Sequence, residues 1–201
     1  DGDYEWAKPH ENDPCGLCYN SGTTGNPKGV AYSHRSNVLH AMFAMTPDCV
    51  PLSSTDVVMP VVPLFHANGW GLAYTSALGG ASLVMPGRDM TAPGLYEMLE
   101  MGVTITAAVP TIWLGMLQHL RQNKLKFSTL KRVVIGGSSC PRAVIEAFQL
   151  DYGAQVIHAW GMTETSPLGS VCSFKPEVAA LSPSEKLDVQ TSVGHPPYGV
   201  D

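Results

Sequence analysis

Apolar and polar positions follow two rhythms along this chain. Short apolar runs at 56–61, 81–85, 103–109, 132–135 and 155–158 read as buried strands, the third of them rich in β-branched residues. Between them, 71–78, 91–99, 111–122 and 141–150 carry apolar residues at helical spacing, with Thr91 as a cap and Pro110 marking the step from strand to helix. Upstream, Ser33 is placed to cap a helix running through Met45, its apolar face formed by Val38, Leu39, Met42 and Phe43, and Pro47 ends it. Strand and helix alternate, which predicts an α/β fold: a mostly parallel sheet flanked by helices. No internal repeat, low-complexity segment or linker divides the chain, so one core is expected.

Composition narrows the function. Of 201 residues, 44% are hydrophobic and 14% charged, with a formal net charge of −5. That balance excludes an electrostatic nucleic-acid binder, which needs a basic face. No apolar run reaches the ~20 residues of a membrane span, and the polar, acidic residues 1–11 do not have the form of a signal peptide. Five cysteines, an odd number scattered along the chain, form no disulfide framework. A reducing compartment, the cytoplasm, is the expectation. Cys15 and Cys18 have the spacing of a redox or zinc motif but no second pair to complete four ligands, and both read as small apolar residues of a strand.

The densest chemistry lies at 19–30, Tyr-Asn-Ser-Gly-Thr-Thr-Gly-Asn-Pro-Lys-Gly-Val. Ser21, Thr23 and Thr24 supply hydroxyl donors, Gly22 and Gly25 let backbone N–H groups converge on one anion, and Lys28 adds charge. This is the composition of a phosphate cradle. It is not the Walker loop, because Gly29 rather than Ser or Thr follows the lysine. Strand ends are where an open α/β sheet binds ligands, and His66, Gly136 and Trp160 each follow a predicted strand.

Four segments together resemble the adenylate-forming superfamily of acyl-CoA synthetases, luciferases and peptide-synthetase adenylation domains. The loop at 19–30 resembles its signature loop, and Phe65-His66-Ala67-Asn68-Gly69-Trp70 its aromatic-His segment. Gly136-Gly137-Ser138-Ser139 resembles its adenine-side loop, and Trp160-Gly161-Met162-Thr163-Glu164-Thr165 its Tyr-Gly-x-Thr-Glu motif. The order is the family's order, and the resemblance runs over essentially the whole chain. At position 20 the chain has Asn where the family more often has Thr.

The resemblance implies a two-step reaction in which a carboxylate attacks the α-phosphorus of ATP and the acyl group then passes from the adenylate to a thiol. It implies ATP, Mg²⁺ and CoA as cofactor and co-substrates, and a medium or long aliphatic acid, or a thioether acid of similar shape, as substrate. Partners are then small molecules, with room for a homodimeric parent enzyme. By resemblance, Ser21, Gly22, Thr23, Thr24, Gly25 and Lys28 hold the polyphosphate. Thr163 donates to the α-phosphate, and Glu164 holds the metal. Gly136, Gly137, Ser138, His158, Ala159, Trp160, Gly161 and Met162 border the nucleotide, while His66 and Trp70 line the acyl site. Read without the family, the competing readings are a solvated loop carboxylate for Glu164 and a core residue for Trp160. The family's catalytic lysine belongs to a mobile C-terminal lid and its ribose-binding acid follows residue 201. Residues 1–201 are therefore expected to be part of an N-terminal AMP-binding domain, unable to complete the reaction alone. Loading of a carrier-protein thiol and a non-catalytic nucleotide-binding module are the rival readings.

Overall fold

The computed structural model describes residues 3–20 and 25–200. The chain opens on a hairpin, β1 (Pro14–Tyr19) and β2 (Gly29–Ser33), paired antiparallel with Tyr19 opposite Gly29. The candidate phosphate loop is the connection of this hairpin. Asn20 N–H donates to the Lys28 carbonyl at 3.0 Å, and Lys28 N–H donates to the Asn20 side-chain oxygen at 3.1 Å. Those two bonds close the base of the loop. Ser33 then caps α1 (His34–Ala44) by accepting from Ser36 N–H.

The expected strands follow with their helices: β3 (Val57–Pro60), α2 (Leu72–Gly79), β4 (Ser82–Leu83), α3 (Ala92–Leu99), β5 (Ile105–Ala108), α4 (Pro110–Asn123), β6 (Arg132–Ile135), α5 (Arg142–Glu146) and β7 (Gln155–Gly161). The sheet runs β4-β3-β5-β6-β7, all parallel, and a further strand, β8 (Leu168–Val171), adds antiparallel to β7. Two short helices, α6 (Pro176–Ala179) and α7 (Pro183–Gln190), complete the order, α7 entered through a Ser182–Glu185 capping box. The α/β class and the mostly parallel sheet are as the alternation predicts.

Both faces of the sheet are covered, as parallel strands require. Alternate residues go to opposite sides: Val133 and Ile135 join Leu95, Leu99, Trp113, Met116, Leu120 and Phe148 in one cluster, while Val134 joins Val58, Leu72, Ile105, Ala107 and Ile157 in the other. At the lower end of the strands Asp56 is tied to Arg132, to Thr104 Oγ1 at 2.8 Å and to Ser53 N–H at 2.9 Å. Burial pushes the Asp56 carboxyl up, but the hydrogen bonds from Thr104 and Ser53, with Arg132 beside it, outweigh that and hold it below the ordinary carboxylate value.

Four expectations need correction. The 81–85 run forms only a two-residue strand. The 141–150 helix is regular through Glu146 and then widens into a π turn over Ala147–Asp151. The third concerns α1, whose predicted apolar face is the wrong one. Val38, Leu39 and Met42 are exposed, and Asn37, His40, Ala41 and Ala44 are buried. Small Ala41 and Ala44 let the helix approach its neighbours closely, and the buried polar residues have partners that no periodicity shows. Asn37 Nδ2 donates to Cys15 Sγ at 3.0 Å, and His40 accepts from Leu168 N–H at 3.3 Å. The fourth concerns Cys15, an exposed residue rather than an apolar core one, whereas Cys18 is buried.

Candidate functional site

The carboxyl ends of β6 and β7, with the turn that follows β3 from His66, border one cavity of about 430 Å³. Strand geometry explains the location, since these ends are where loops diverge from the sheet and leave a crevice. Gly136 and Gly137 leave β6 along its floor. A Cβ on Gly136 would stand 2.8 Å from the Ala159 carbonyl, and Gly137 has φ +79, so neither position has room for a side chain in this conformation. The Trp70 ring lies over this pair, 3.4 Å from where a Gly136 Cβ would be.

Trp70 reaches there from an unusual backbone. Ala67, Asn68, Gly69, Trp70 and Gly71 all have positive φ, between 42° and 71°, so the chain makes a short left-handed turn after His66. L-residues avoid this region because Cβ crowds the following carbonyl. The turn is held by the Gly69 N–H bond to the His66 carbonyl, at 3.0 Å, and by α2, which starts on the Gly71 carbonyl. It sets His66 and Trp70 on the cavity wall beside Leu72 and Thr75.

The opposite wall comes from the end of β7. Trp160 is 47% exposed, so it is not a core residue, and its ring covers Gly169, where a Cβ would meet it at 2.5 Å. Gly161 leaves no room either, with a Cβ 2.0 Å from the Pro167 carbonyl. The Thr163–Thr165 segment then forms one 3₁₀ turn. Thr165 holds it, accepting from Met162 N–H and donating to the Met162 carbonyl at 3.0 Å each.

This turn is pinned to the hairpin. Tyr32, buried in β2, donates its hydroxyl to the Thr163 carbonyl at 2.6 Å, and Asn20 Nδ2 donates to Glu164 Oε1 at 2.6 Å. Burial first, and then the neighbouring Cys18 and Glu164, push the Tyr32 phenol up to about 12, so it remains a donor across the physiological range. His40 closes the inner end. Burial lowers its imidazole to about 4, and Gly71 packs so closely on the ring that a Cβ would fall 2.6 Å from it.

The cavity gathers His66, Trp70, Gly136, Gly137, Ala159, Trp160, Gly161, Met162, Thr163 and Glu164. Gly25, Lys28 and Ser138 are exposed and stand off this wall. Ser21, Gly22, Thr23 and Thr24 lie outside the described residues. His158 is the outlier: it is buried, its Nδ1 shares a 2.9 Å hydrogen bond with the Gln190 carbonyl of α7, and it does not border the cavity. Its ring faces the helix that covers β7 instead. Asn20, marked in the sequence only as a departure from the family's motif, and Tyr32 and His40, to which sequence reasoning assigns no role, are wall or anchor residues. Tyr32 and His40 gave no local signal.

Among the described residues no group of three or more His, Cys, Asp or Glu is placed to hold a metal, and no helix is long and apolar enough to cross a membrane. Comparison with known proteins gives the family. The chain is 48% identical over 202 residues to the medium-chain-fatty-acid–CoA ligase of Ectopseudomonas oleovorans, covering 100% of this chain and 37% of that protein. It is 46% identical to the 3-methylmercaptopropionyl-CoA ligase of Ruegeria lacuscaerulensis, covering 100% of this chain and 38% of that one. It therefore spans well under half the length of these curated relatives. The inhibitor-bound N-terminal domain of FACL13 from Mycobacterium tuberculosis has the same fold, with a TM-score of 0.81 at 24% identity over 98% of this chain and 46% of that one. Residues 2–201 match the family model described as AMP-binding enzyme, and the chain belongs to that family.

Proposed function

We propose that this chain is the nucleotide- and acyl-binding part of an ATP-dependent acid–thiol ligase acting on an aliphatic carboxylic acid. One observation carries the reading: a single cavity has a polar end at Asn20, Thr163 and Glu164, a flat glycine-floored side at Gly136 and Gly137, and an apolar inner end at Ala44, Val50 and Leu72. That sequence of surfaces matches an acyl-adenylate, with phosphate at one end, a planar base beside it and a hydrocarbon chain beyond. The named acyl-CoA ligases among the relatives support CoA as the thiol acceptor.

In the proposed first step a carboxylate oxygen attacks the α-phosphorus and pyrophosphate leaves; in the second a thiol sulfur attacks the acyl carbon and AMP leaves. Such chemistry depends on position and electrostatics rather than on a nucleophilic side chain. Gly136 and Gly137 admit the base, the exposed face of Trp160 stacks on it, and Thr163 donates to the α-phosphate. Trp70 and His66 orient the acid against the phosphorus. The loop from Ser21 to Lys28 takes the pyrophosphate. Glu164 fits a Mg²⁺ ion, because among the described residues it is the one carboxylate on the cavity wall and this cation commonly takes one or two carboxylates with waters and substrate phosphates. Bound there, the ion would neutralise charge building on the phosphates. The proposal includes a C-terminal lid bearing a catalytic lysine in the complete protein, and a homodimeric assembly, checked by its mass in solution.

The test is ATP–pyrophosphate exchange by the full-length protein with a panel of carboxylic acids. Exchange dependent on aliphatic acids, followed by thioester formation with CoA, is the expected result. No exchange with any aliphatic, aromatic or amino acid would sink the reading, and acyl transfer to a carrier protein but not to CoA would replace the acceptor.

A further inference from the structure

Asn20 uses both ends of its side chain. Its Oδ1 accepts from Lys28 N–H at 3.1 Å and its Nδ2 donates to Glu164 Oε1 at 2.6 Å, while its own N–H bonds the Lys28 carbonyl at 3.0 Å. The first and last of these belong to the hairpin; the second crosses 144 residues of sequence to the 3₁₀ turn. No other side chain type of this length offers an acceptor and a donor in one fixed plane. Serine or threonine is too short to do both, and aspartate has no donor. The bond to a carboxylate is charge-assisted and therefore of the stronger kind. The Tyr32–Thr163 bond lies next to it, so the backbone of the turn is already anchored to the same hairpin. What is left free is the rotation of the Glu164 side chain. Asn20 removes it.

We infer that Asn20 is a positioning residue that ties the base of the phosphate loop to the Glu164 carboxylate, so that the two ends of the polyphosphate site are set by one amide. The inference rests on the proposed function above. The loop would grip the phosphates, and the carboxylate would face the cation on the same phosphates. Without the tie each has to find its orientation separately. The geometry also sets the direction of the effect: Asn20 acts on the cation-dependent part of nucleotide binding, because its charged partner is Glu164, whereas its loop bonds act on ATP whether or not the cation is present.

The test is a double-mutant cycle in the full-length protein with Asn20→Ala, Glu164→Ala and the pair, reading ATP affinity by calorimetry with and without Mg²⁺. Folding of each variant is checked by its melting curve; the bond is exposed, so its removal opens no cavity in the core. Asn20→Ala is expected to weaken Mg·ATP binding about tenfold, the scale of one charge-assisted hydrogen bond, and to weaken Mg²⁺-free ATP binding much less. In the Glu164→Ala background the same substitution should cost only the smaller loss seen without Mg²⁺, since the Lys28 N–H bond to Oδ1 is still removed but the charged partner is already gone. Equal losses in both backgrounds mean that Asn20 only closes the loop, and the inference is overturned. Absence of ATP binding by the unsubstituted protein overturns the functional reading and this inference together, so the two failures are distinct.

Discussion

Lowering the pH from 7 to 5 should remove about 2 kcal/mol of stability through one side chain, His40. The ring is 3% exposed, packed on Gly71 and edge-on to Phe43, and its Nε2 accepts from Leu168 N–H. Protonation would turn that acceptor into a donor facing a donor and would place a charge in an apolar wall, and burial accordingly lowers the imidazole from 6.5 to about 4. Because the folded value is the lower one, the unfolded chain takes up the proton first as pH falls. Stability from this group is therefore complete above about 6.5, drains away between about 6.5 and about 4, and is lost below that. Integration over the interval from pH 7 to pH 5 gives the figure of about 2 kcal/mol, out of roughly 3 for the full shift. His40→Gln keeps an acceptor near Leu168 and cannot be protonated in this range. Urea unfolding at pH 7, 6 and 5 should show the unsubstituted protein losing about 2 kcal/mol more than the variant. Parallel losses in both proteins would refute the argument, because the carboxylates common to them would then account for the whole pH dependence.

Other substitutions probe the site and its base. Glu164→Gln should lower exchange turnover on the order of 10²-fold, as loss of one electrostatic stabiliser does, and near-normal turnover would make Glu164 a solvated loop carboxylate. Trp70→Ala should alter the Michaelis constant for the acid or the chain-length preference while leaving that for ATP nearly constant; a shift in the ATP value alone would assign the ring to the nucleotide side, where it covers Gly136. Gly161→Ala should abolish nucleotide binding, since its Cβ would collide with the Pro167 carbonyl and displace the turn bearing Thr163 and Glu164. Asp56→Ala strands Arg132 in a largely buried site and should cost about 3–5 kcal/mol in chemical denaturation; a loss under 1 kcal/mol would mean that water replaces the carboxylate.

The strands and most helices were legible because parallel strands buried on both faces leave apolar runs that few other arrangements produce. The cavity floor was legible through Gly136, Gly137 and Gly161, whose type is dictated by close approach rather than by packing, whereas the hydroxyls of the candidate phosphate loop, Ser21, Thr23 and Thr24, lie outside the described residues. What could not be read was orientation. On α1 the large apolar residues predicted a buried face, yet the helix turns Ala41 and Ala44 inward and carries His40 with them. The reason is a partner 128 residues away, Leu168, in a strand that the apolar pattern did not mark. His158 illustrates the same limit: position in a strand told that it is buried but not that α7 would claim its ring. Asn20 stood out only as a departure from a motif, and its amide bridge needed coordinates.

The left-handed turn from Ala67 to Gly71 reverses the usual arithmetic of mutation. Elsewhere a glycine loosens the chain, but here Ala67 and Trp70 sit in a conformation that disfavours most L-residues by roughly 1–2 kcal/mol each, whereas Asn68 is of a type that adopts it readily. Glycine at Ala67 would relieve that tension, so a screen for heat resistance should enrich such a change. The same relief would let amide hydrogens at His66–Gly71 exchange less often through local opening. A chain under selection for stability alone would drift toward glycine at these positions. The presence of Ala67 and Trp70, both on the cavity wall, therefore marks a place where the shape of that wall, rather than the durability of the fold, has set the residue.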